Sequence, residues 1–226
     1  YPINTLKSGS IGTINALGIA KKHNAKFFLA STSEIYGDPE ISPQDENYWG
    51  NVNTLGPRSM YDESKRFAES ATHSYMSTHG IHTNIARIFN TFGPNMQIDD
   101  GRVVTNFIYQ AINNKDITLY GNGSQTRSFS FIEDTLDGLL QVINYEKSDV
   151  FNIGSENEIT IKFLAETIIT LTNSNSKIIF EELPENDPKQ RKPDLSKAKK
   201  LLGYKPKHTL EEGLEITIDW IKKTYR

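Results

Sequence analysis

The stretch AKFFLAST at residues 25–32, continued by SEIYG at 33–37, is the part of the sequence that decides the fold. Its apolar run is short and continuous, which is typical of a strand buried on both faces of a parallel sheet. A second run of this kind, TNIARIF, occupies 83–89. Apolar residues recur at helical spacing over 5–22 and 59–78. The resulting order of helix, strand, long loop, helix and strand predicts a parallel α/β sheet.

After Gly93-Pro94 the predicted elements become shorter. Turn residues and apolar runs again alternate, without an internal repeat or a low-complexity tract. In chain order the pattern predicts a helix at 103–112, strands at 117–120 and 127–131, a helix to about 145, a strand at 150–153, a helix from the N-cap Thr160 to about 171, a strand at 178–180, a charged loop at 181–193, and helices at 195–202 and 210–223.

Composition excludes several classes of function. The chain has 226 residues, 25 Lys and Arg against 28 Asp and Glu, and no cysteine. A net charge of −3 argues against nucleic acid as a partner, and the lack of cysteine excludes disulfides and thiolate chemistry. No apolar stretch is long enough to cross a membrane, so we expect no membrane partner and a cytoplasmic location, unless a preceding segment supplies an anchor. The five histidines show no metal-ligand spacing, so no metal site is expected.

Tyr61 and Lys65 form a Y-x-x-x-K pair at the start of the predicted helix at 59–78. Residues four apart share one helix face, and an ammonium beside a phenol stabilises the phenolate, which is then available as a general base. Such a pair also arises by chance in amphipathic helices, so its neighbourhood must decide. Thr32 and Glu34 follow the first buried strand, and Asn90 follows the second. Parallel sheets bind ligands at these carboxyl ends of their strands.

These residues, together with several longer motifs, resemble the nucleotide-sugar enzymes of the extended short-chain dehydrogenase/reductase family, the NAD-dependent epimerases and dehydratases. The resemblance covers essentially the whole chain. Ser33 stands where the 4,6-dehydratases of the family typically have Asp, which favours decarboxylation instead. The motifs that carry it are YDESK at 61–65, ARIFNTFGP at 86–94, LYGNGSQTRSFSFIED at 119–134 and RKPD at 191–194.

The resemblance implies NAD-dependent decarboxylation of UDP-glucuronate to UDP-xylose through a 4-keto intermediate. It leaves open another nucleotide-sugar 4,6-dehydratase or 4-epimerase, or a non-catalytic truncated paralogue. The implied partners are a UDP-sugar and a second copy of the chain in a homodimer. The residues it implies are Thr32, Glu34, Tyr61, Lys65 and Arg191 for catalysis, Ser31, Tyr61, Lys65 and Ile88 for NAD, and Asn90, Tyr120, Arg127 and Arg191 for the substrate. Arg87, in mid-strand, is expected to form a structural ion pair.

The family's first strand and its G-x-x-G-x-x-G turn have no counterpart here. Gly9-x-x-Gly12 lies within a helical pattern, and the chain starts at Tyr1 instead of Met. We therefore expect a fragment of a longer enzyme, with a naturally truncated protein as the alternative. The expected fold is α/β, with a partial doubly wound (Rossmann-type) parallel sheet and a small α/β C-terminal substrate domain. Residues 1–93 would form the later part of the NAD-binding domain and 94–226 mainly the substrate domain, with about 127–153 returning to the first.

Overall fold

A parallel three-stranded sheet forms the centre of one layer of the protein, for which a computed structural model describes residues 1–182 and 190–225. Its strands are β1 (Phe27–Thr32), β2 (Thr83–Ile88) and β7 (Asp149–Ile153), in the order β1-β2-β7. The parallel register pairs Thr32 with Ile88 and Ile88 with Ile153. The carboxyl ends of all three strands therefore meet at one edge of the sheet.

Helices cover both faces of this sheet, which explains why its strands are apolar without alternation. One face packs through Leu29 and Ile85 against Ala68 of α3 (Ser59–His79). The other face, through Ala86 and Phe151, packs against α5 (Ile132–Asn144) and α7 (Ser196–Leu202).

One long helical segment opens the chain and packs along α3. It comprises α1 (Pro2–Lys7), a π-helical turn (Ser8–Gly12) and α2 (Thr13–His23). Gly9 is the point of closest approach, because a Cβ placed there would lie 2.5 Å from Oγ of Ser64 on α3. Gly9-x-x-Gly12 is thus a helix-packing feature of this fold.

A second layer of helices and short strands surrounds a separate apolar core. Here α4 (Val103–Ile112), α6 (Ile161–Thr172) and α8 (Leu210–Thr224) pack together with the parallel pair β4 (Ile117–Tyr120) and β9 (Ile178–Glu181). The fully buried side chains of this core include Ile108, Ile117, Leu119, Leu164, Ile168, Leu214 and Ile221.

Two small sheets connect the layers. The first contains β10 (Gln190–Arg191), β5 (Thr126–Ser128) and β8 (Glu158–Thr160) in the order β10-β5-β8. The second pairs β3 (Thr91–Phe92) with β6 (Ser130–Phe131). β3 follows the end of β2, and β8 follows the end of β7. The two small sheets therefore lie at the edge of the main sheet where its strands end.

The α/β class with a parallel sheet is confirmed, and most predicted elements lie within two residues of their predicted bounds. The strand predicted at 127–131 was wrong, because Phe129 separates β5 from β6 and the two belong to different sheets. The charged loop predicted at 181–193 was wrong at both ends, since Glu181 ends β9 and Gln190–Arg191 forms β10; its middle, 183–189, lies outside the described residues. Two-residue strands such as β3 and β10 are too short for periodicity to reveal.

None of the helices in the described ranges is long and apolar enough to cross a membrane.

Candidate active site

Glu34 and Arg191 form the centre of the site. Thr32, the last residue of β1, accepts a hydrogen bond from the Glu34 N–H at 3.3 Å and caps a short 3₁₀-helix, Ser33–Tyr36. This turn directs the Glu34 carboxylate toward Arg191, whose Nη1 donates to Glu34 Oε1 at 2.5 Å. Arg58 Nη2 lies 3.3 Å from the same oxygen. Burial alone would raise the pKa of Glu34, but the two guanidinium groups outweigh it and hold that pKa below its ordinary value.

The loop after β1 holds Arg191 in place. Gln44, which is completely buried, donates its backbone N–H to the carbonyl of Lys192 and accepts the backbone N–H of Asp194. Its side-chain oxygen also accepts the Lys192 N–H at 2.9 Å. Arg191 itself donates to the carbonyl of Gly37 at 3.2 Å. The chain just after Arg191 is therefore fixed to the loop that follows the Ser33–Tyr36 turn.

Arg127 lies directly beside Arg191 on the neighbouring strand. The two are register partners in the parallel pair β5–β10, so their side chains leave the same face of that small sheet. Both are buried, at 8% and 3% exposure. Arg127 also helps to lower the pKa of Glu34. Paired buried guanidinium groups provide a forked donor set for a carboxylate or a phosphate.

Tyr61 and Lys65 lie one turn apart at the start of α3. Lys65 Nζ is 5.9 Å from the centre of the Tyr61 ring and donates to the Ala30 carbonyl of β1 at 2.9 Å. Burial lowers the pKa of Lys65 below its ordinary value. The hydrogen bond from Lys65 to Ala30 thus connects the Y-x-x-x-K pair to β1, the strand that ends at Thr32.

Asp62, between these two residues in sequence, is a site residue that the sequence analysis missed. It is 8% exposed, and its Oδ1 is buried without a hydrogen-bond partner among the described residues. Burial and the charge of Glu34 raise its pKa to about 6, while Arg58 and Arg191 act in the opposite direction. The 3.3 Å contact of Arg58, the N-cap residue of α3, with Glu34 brings the start of α3 to the Glu34–Arg191 pair. The sequence signal that could have identified Asp62 is a charged residue inside the Y-x-x-x-K motif.

Asn90 and Ser128 add further buried polar groups near the strand ends. Asn90 follows β2, and its carbonyl accepts the Ser130 N–H at 2.8 Å. Asn90 Oδ1, Ser128 Oγ and Arg191 Nε are all buried without a hydrogen-bond partner in the described part of the chain. Buried polar groups are almost always hydrogen-bonded in folded proteins, so this group of atoms marks a site for a polar ligand.

The remaining candidate residues lie in different surroundings. Ser31 Oγ donates to Glu69 at 2.5 Å, and Glu69 pairs with Arg87 at 2.8 Å. The structural ion pair predicted for Arg87 is thereby confirmed, and the Ser31 hydroxyl belongs to that network. Ile88 ends β2 in register with Thr32. Tyr120 ends β4 with 48% exposure, and the described contacts do not join its ring to the Glu34–Arg191 pair.

Fold and site together define an α/β protein with a Y-x-x-x-K pair near the carboxyl ends of a parallel sheet. Residues 1–217 match the family described as GDP-mannose 4,6 dehydratase, and the chain belongs to that family. Two solved structures of this type are similar in fold. The UDP-glucuronic acid 4-epimerase of Bacillus cereus, with UDP-glucuronic acid and NAD, has a TM-score of 0.88 and 28% identity over 97% of this chain and 69% of that one. The dTDP-glucose 4,6-dehydratase of Bacillus anthracis, with NAD, has a TM-score of 0.90 and 26% identity over 100% of this chain and 71% of that one.

Curated relatives of the chain are more specific. It is 50% identical over 222 residues to UDP-glucuronic acid decarboxylase 1 of Xenopus tropicalis, covering 98% of this chain and 53% of that protein. It is 51% identical over 215 residues to UDP-glucuronic acid decarboxylase 3 of Arabidopsis thaliana, covering 95% and 63%. The resemblance found in the sequence is confirmed. The chain spans between half and two thirds of the length of these relatives.

Proposed function

We propose that this protein converts UDP-glucuronate to UDP-xylose and carbon dioxide through a 4-keto intermediate. The observation that carries the proposal is the Arg191–Glu34 pair next to the strand end at Thr32, with the Tyr61–Lys65 pair coupled to it through Asp62. An enzyme for this reaction needs a base that takes the proton of the C4 hydroxyl, a bound NAD that would accept the C4 hydride, and a cation that receives the C6 carboxylate. The curated relatives carry the name of this activity.

The oxidation step would use Tyr61, Thr32 and Lys65. Tyr61 takes the proton of the C4 hydroxyl, Thr32 hydrogen-bonds that oxygen, and the Lys65 ammonium stabilises the phenolate. Ser31, Tyr61, Lys65 and Ile88 would hold NAD, and a lysine with a tyrosine at the carboxyl ends of β1 and β2 suits its ribose and nicotinamide. When bound, NAD accepts a hydride at the start of the cycle and returns it at the end.

The decarboxylation step would use Arg191 and Glu34. Once C4 is a ketone, the C6 carboxylate is β to a carbonyl, so loss of carbon dioxide leaves a stabilised enolate. Arg191 would orient the carboxylate through its buried guanidinium, and Glu34, which pairs with Arg191, would then face the carbon that must be protonated. A buried site strengthens these electrostatic interactions because water is excluded.

The UDP part of the substrate would lie against Asn90, Tyr120 and Arg127. Arg127 supports a diphosphate by its forked donors. The side-chain oxygen of Asn90, Oδ1, is buried without a hydrogen-bond partner among the described residues and could accept a hydrogen bond from a donor group of the nucleotide. Tyr120 has a partly exposed ring at the end of β4, which suits contact with a base or ribose.

The test is a turnover assay on the protein expressed from the complete reading frame that contains residues 1–226. With UDP-glucuronate and NAD we expect a UDP-pentose and one equivalent of carbon dioxide. UDP-glucose is the matched control, because it lacks the carboxylate and should give no decarboxylated product. Formation of an epimer from either sugar would support the 4-epimerase alternative, and formation of a 4-keto-6-deoxy sugar from UDP-glucose, by loss of its C6 hydroxyl as water, would support the 4,6-dehydratase alternative. Binding of UDP-glucuronate without turnover would support a non-catalytic paralogue.

We further propose a homodimer in the cytoplasm, with residues 1–93 and 94–226 divided between cofactor and substrate domains as expected from the sequence. Large apolar side chains on the outer side of the α1–α3 layer, Ile3, Ile11 and Phe67, are 61%, 57% and 46% exposed and favour a helical dimer contact there. The apolar side of α4 packs into the core of its own chain, which disfavours it as the interface. Light scattering of the purified protein tests the dimer.

A further inference from the structure

Decarboxylation consumes one proton in each turnover, and the structure contains a carboxyl group suited to hold it. This inference rests on the proposed function. When the C5–C6 bond breaks, carbon dioxide leaves and the electron pair stays as an enolate over C5, C4 and the C4 oxygen. A new C5–H bond must then form. Glu34 is the acid nearest Arg191, yet Arg191 at 2.5 Å and Arg58 at 3.3 Å keep it ionised, so it is not the group that stores the proton.

Asp62 has the position and the environment for storing it. It follows Tyr61 in the first turn of α3, and its backbone N–H donates to the Arg58 carbonyl at 3.2 Å. The side chain is more than nine-tenths buried. Its Oδ1 has no hydrogen-bond partner among the described residues, which is costly for a carboxylate and much less so for a neutral acid.

The charges around Asp62 come from three segments. Glu34 from the turn after β1 and Glu63 from α3 disfavour its ionisation, whereas Arg58 before α3 and Arg191 from β10 favour it. Burial is the largest influence, and the balance raises the pKa of Asp62 to about 6. Two neighbouring carboxyl groups thus have opposite shifts, Glu34 downward and Asp62 upward, and such a pair divides the acid and base roles between its members.

We propose that Asp62 holds the proton consumed in decarboxylation and delivers it through a water molecule, bound at the Oδ1 that has no partner among the described residues, to the Glu34 carboxylate and from there to C5 of the enolate. Asp62 is left as a carboxylate and is reprotonated from solvent before the next cycle, so that one solvent proton replaces one molecule of carbon dioxide. Asp62 is a positioning residue in this scheme, because Glu34 is the group that touches the substrate.

The test compares wild type, Asp62→Asn and Asp62→Glu in the full-length protein with NAD and UDP-glucuronate. The turnover rate of wild type should fall as the pH rises above the pKa of Asp62. The Asp62→Glu variant should show the same fall at high pH. Asp62→Asn should lack it and form UDP-xylose about 100-fold more slowly, while single-turnover reduction of bound NAD continues at the wild-type rate. Glu166→Gln, a change of an exposed carboxylate on α6 that pairs with Lys162, is the matched control and should keep the wild-type pH profile.

A second measurement does not depend on the variant folding or on activity. The carboxyl carbon of Asp62, followed by ¹³C NMR in the free protein, should titrate near pH 6. Titration near pH 4 would overturn the proposal, as would an Asp62→Asn enzyme with the wild-type rate and pH profile. If wild type releases no carbon dioxide from UDP-glucuronate, the proposed function fails and this role fails with it. If wild type is active and only the Asp62 results disagree, the proposed function stands and the proton-holding role alone is rejected.

Discussion

Arg191 donates a 2.5 Å hydrogen bond to Glu34 although the two residues are 157 positions apart in the chain. Glu34 follows the first strand of the main sheet, and Arg191 lies in a two-residue strand of a separate small sheet. The contact therefore joins the two layers of the fold at the site itself. Because the pair is flanked by Arg127 and Arg58, the site retains positive charge after Glu34 is neutralised. This arrangement suits an anionic sugar nucleotide.

Replacement of Arg191 by Met should reduce both stability and decarboxylation. The variant removes the nearest cation from a largely buried Glu34 and leaves Arg58 and Arg127, so we expect a loss of about 3 kcal/mol in the free energy of unfolding at pH 7. Since the pKa of Glu34 is lowered in the folded protein, its ionised carboxylate stabilises the fold at pH values above 4.5, which is the ordinary pKa of a glutamate. That contribution disappears as the pH falls through the lowered pKa, so the difference between variant and wild type should shrink in acid.

Urea unfolding at pH 7 and at pH 3.5 measures this difference. Lys192→Ala is the control on the adjacent residue, because the Lys192–Glu158 pair is 3.8 Å long and partly exposed. It should cost less than about 1 kcal/mol. Equal losses of unfolding free energy in the two variants would show that the buried Glu34–Arg191 pair stabilises the fold no more than the partly exposed Lys192–Glu158 pair does.

Tyr61→Phe should abolish turnover with little effect on stability. The described contacts give the Tyr61 hydroxyl no side-chain hydrogen bond, so its removal breaks nothing in the free protein. The loss of a general base should lower kcat by roughly 100- to 10,000-fold. The measurement is UDP-xylose formation by the full-length enzyme together with its melting temperature. Tyr75→Phe, on the same helix near the far end, should leave kcat unchanged; a similar loss there would argue against a specific role for Tyr61.

Asp62→Asn should change the pH dependence of stability. The folded-state pKa of Asp62 is about 6 against an ordinary value of 3.8, so the folded protein binds this proton more tightly than the unfolded chain does. Wild type therefore has a stabilising contribution that is complete below about pH 4 and is lost as the pH rises through about 6. Relative to wild type, Asp62→Asn should gain about 2–3 kcal/mol between pH 4 and pH 8. Urea unfolding across this range measures it, and a constant difference would contradict it.

Gly37→Ala should be much more disruptive than Gly80→Ala, although both glycines have positive φ. Gly37 has φ +63°, and a Cβ there would lie 2.0 Å from the backbone oxygen of Asn51. Gly80 has φ +68° with no atom within 4 Å of such a Cβ. We expect a loss of about 1–2 kcal/mol for Gly80→Ala from the left-handed conformation alone. Gly37→Ala should lose several times as much and weaken UDP-glucuronate binding, because the Gly37 carbonyl accepts a hydrogen bond from Arg191.

Denaturant unfolding of both glycine variants and calorimetry with UDP-glucuronate provide the measurements. Similar losses of stability in the two variants would mean that the loop around Asn51 can move away from residue 37 without cost.

The sequence by itself determined the main sheet, the helices around it and the Tyr61–Lys65 pair. Continuous apolar runs identify strands covered on both faces, and a four-residue spacing places two side chains on one helix face; both are local properties of the chain. Glu34 and Arg191 were implied by resemblance to a family, while their mutual contact has no local signal.

Only the tertiary structure decided which charges meet. Arg127 and Arg191 become neighbours because β5 pairs with β10, and Gln44 of a distant loop holds that strand in place. Asp62 acquires its raised pKa because folding buries it and brings Glu34 close. The energy of a charge depends on its burial and on the charges nearby, and both arise from contacts between segments that are remote in sequence.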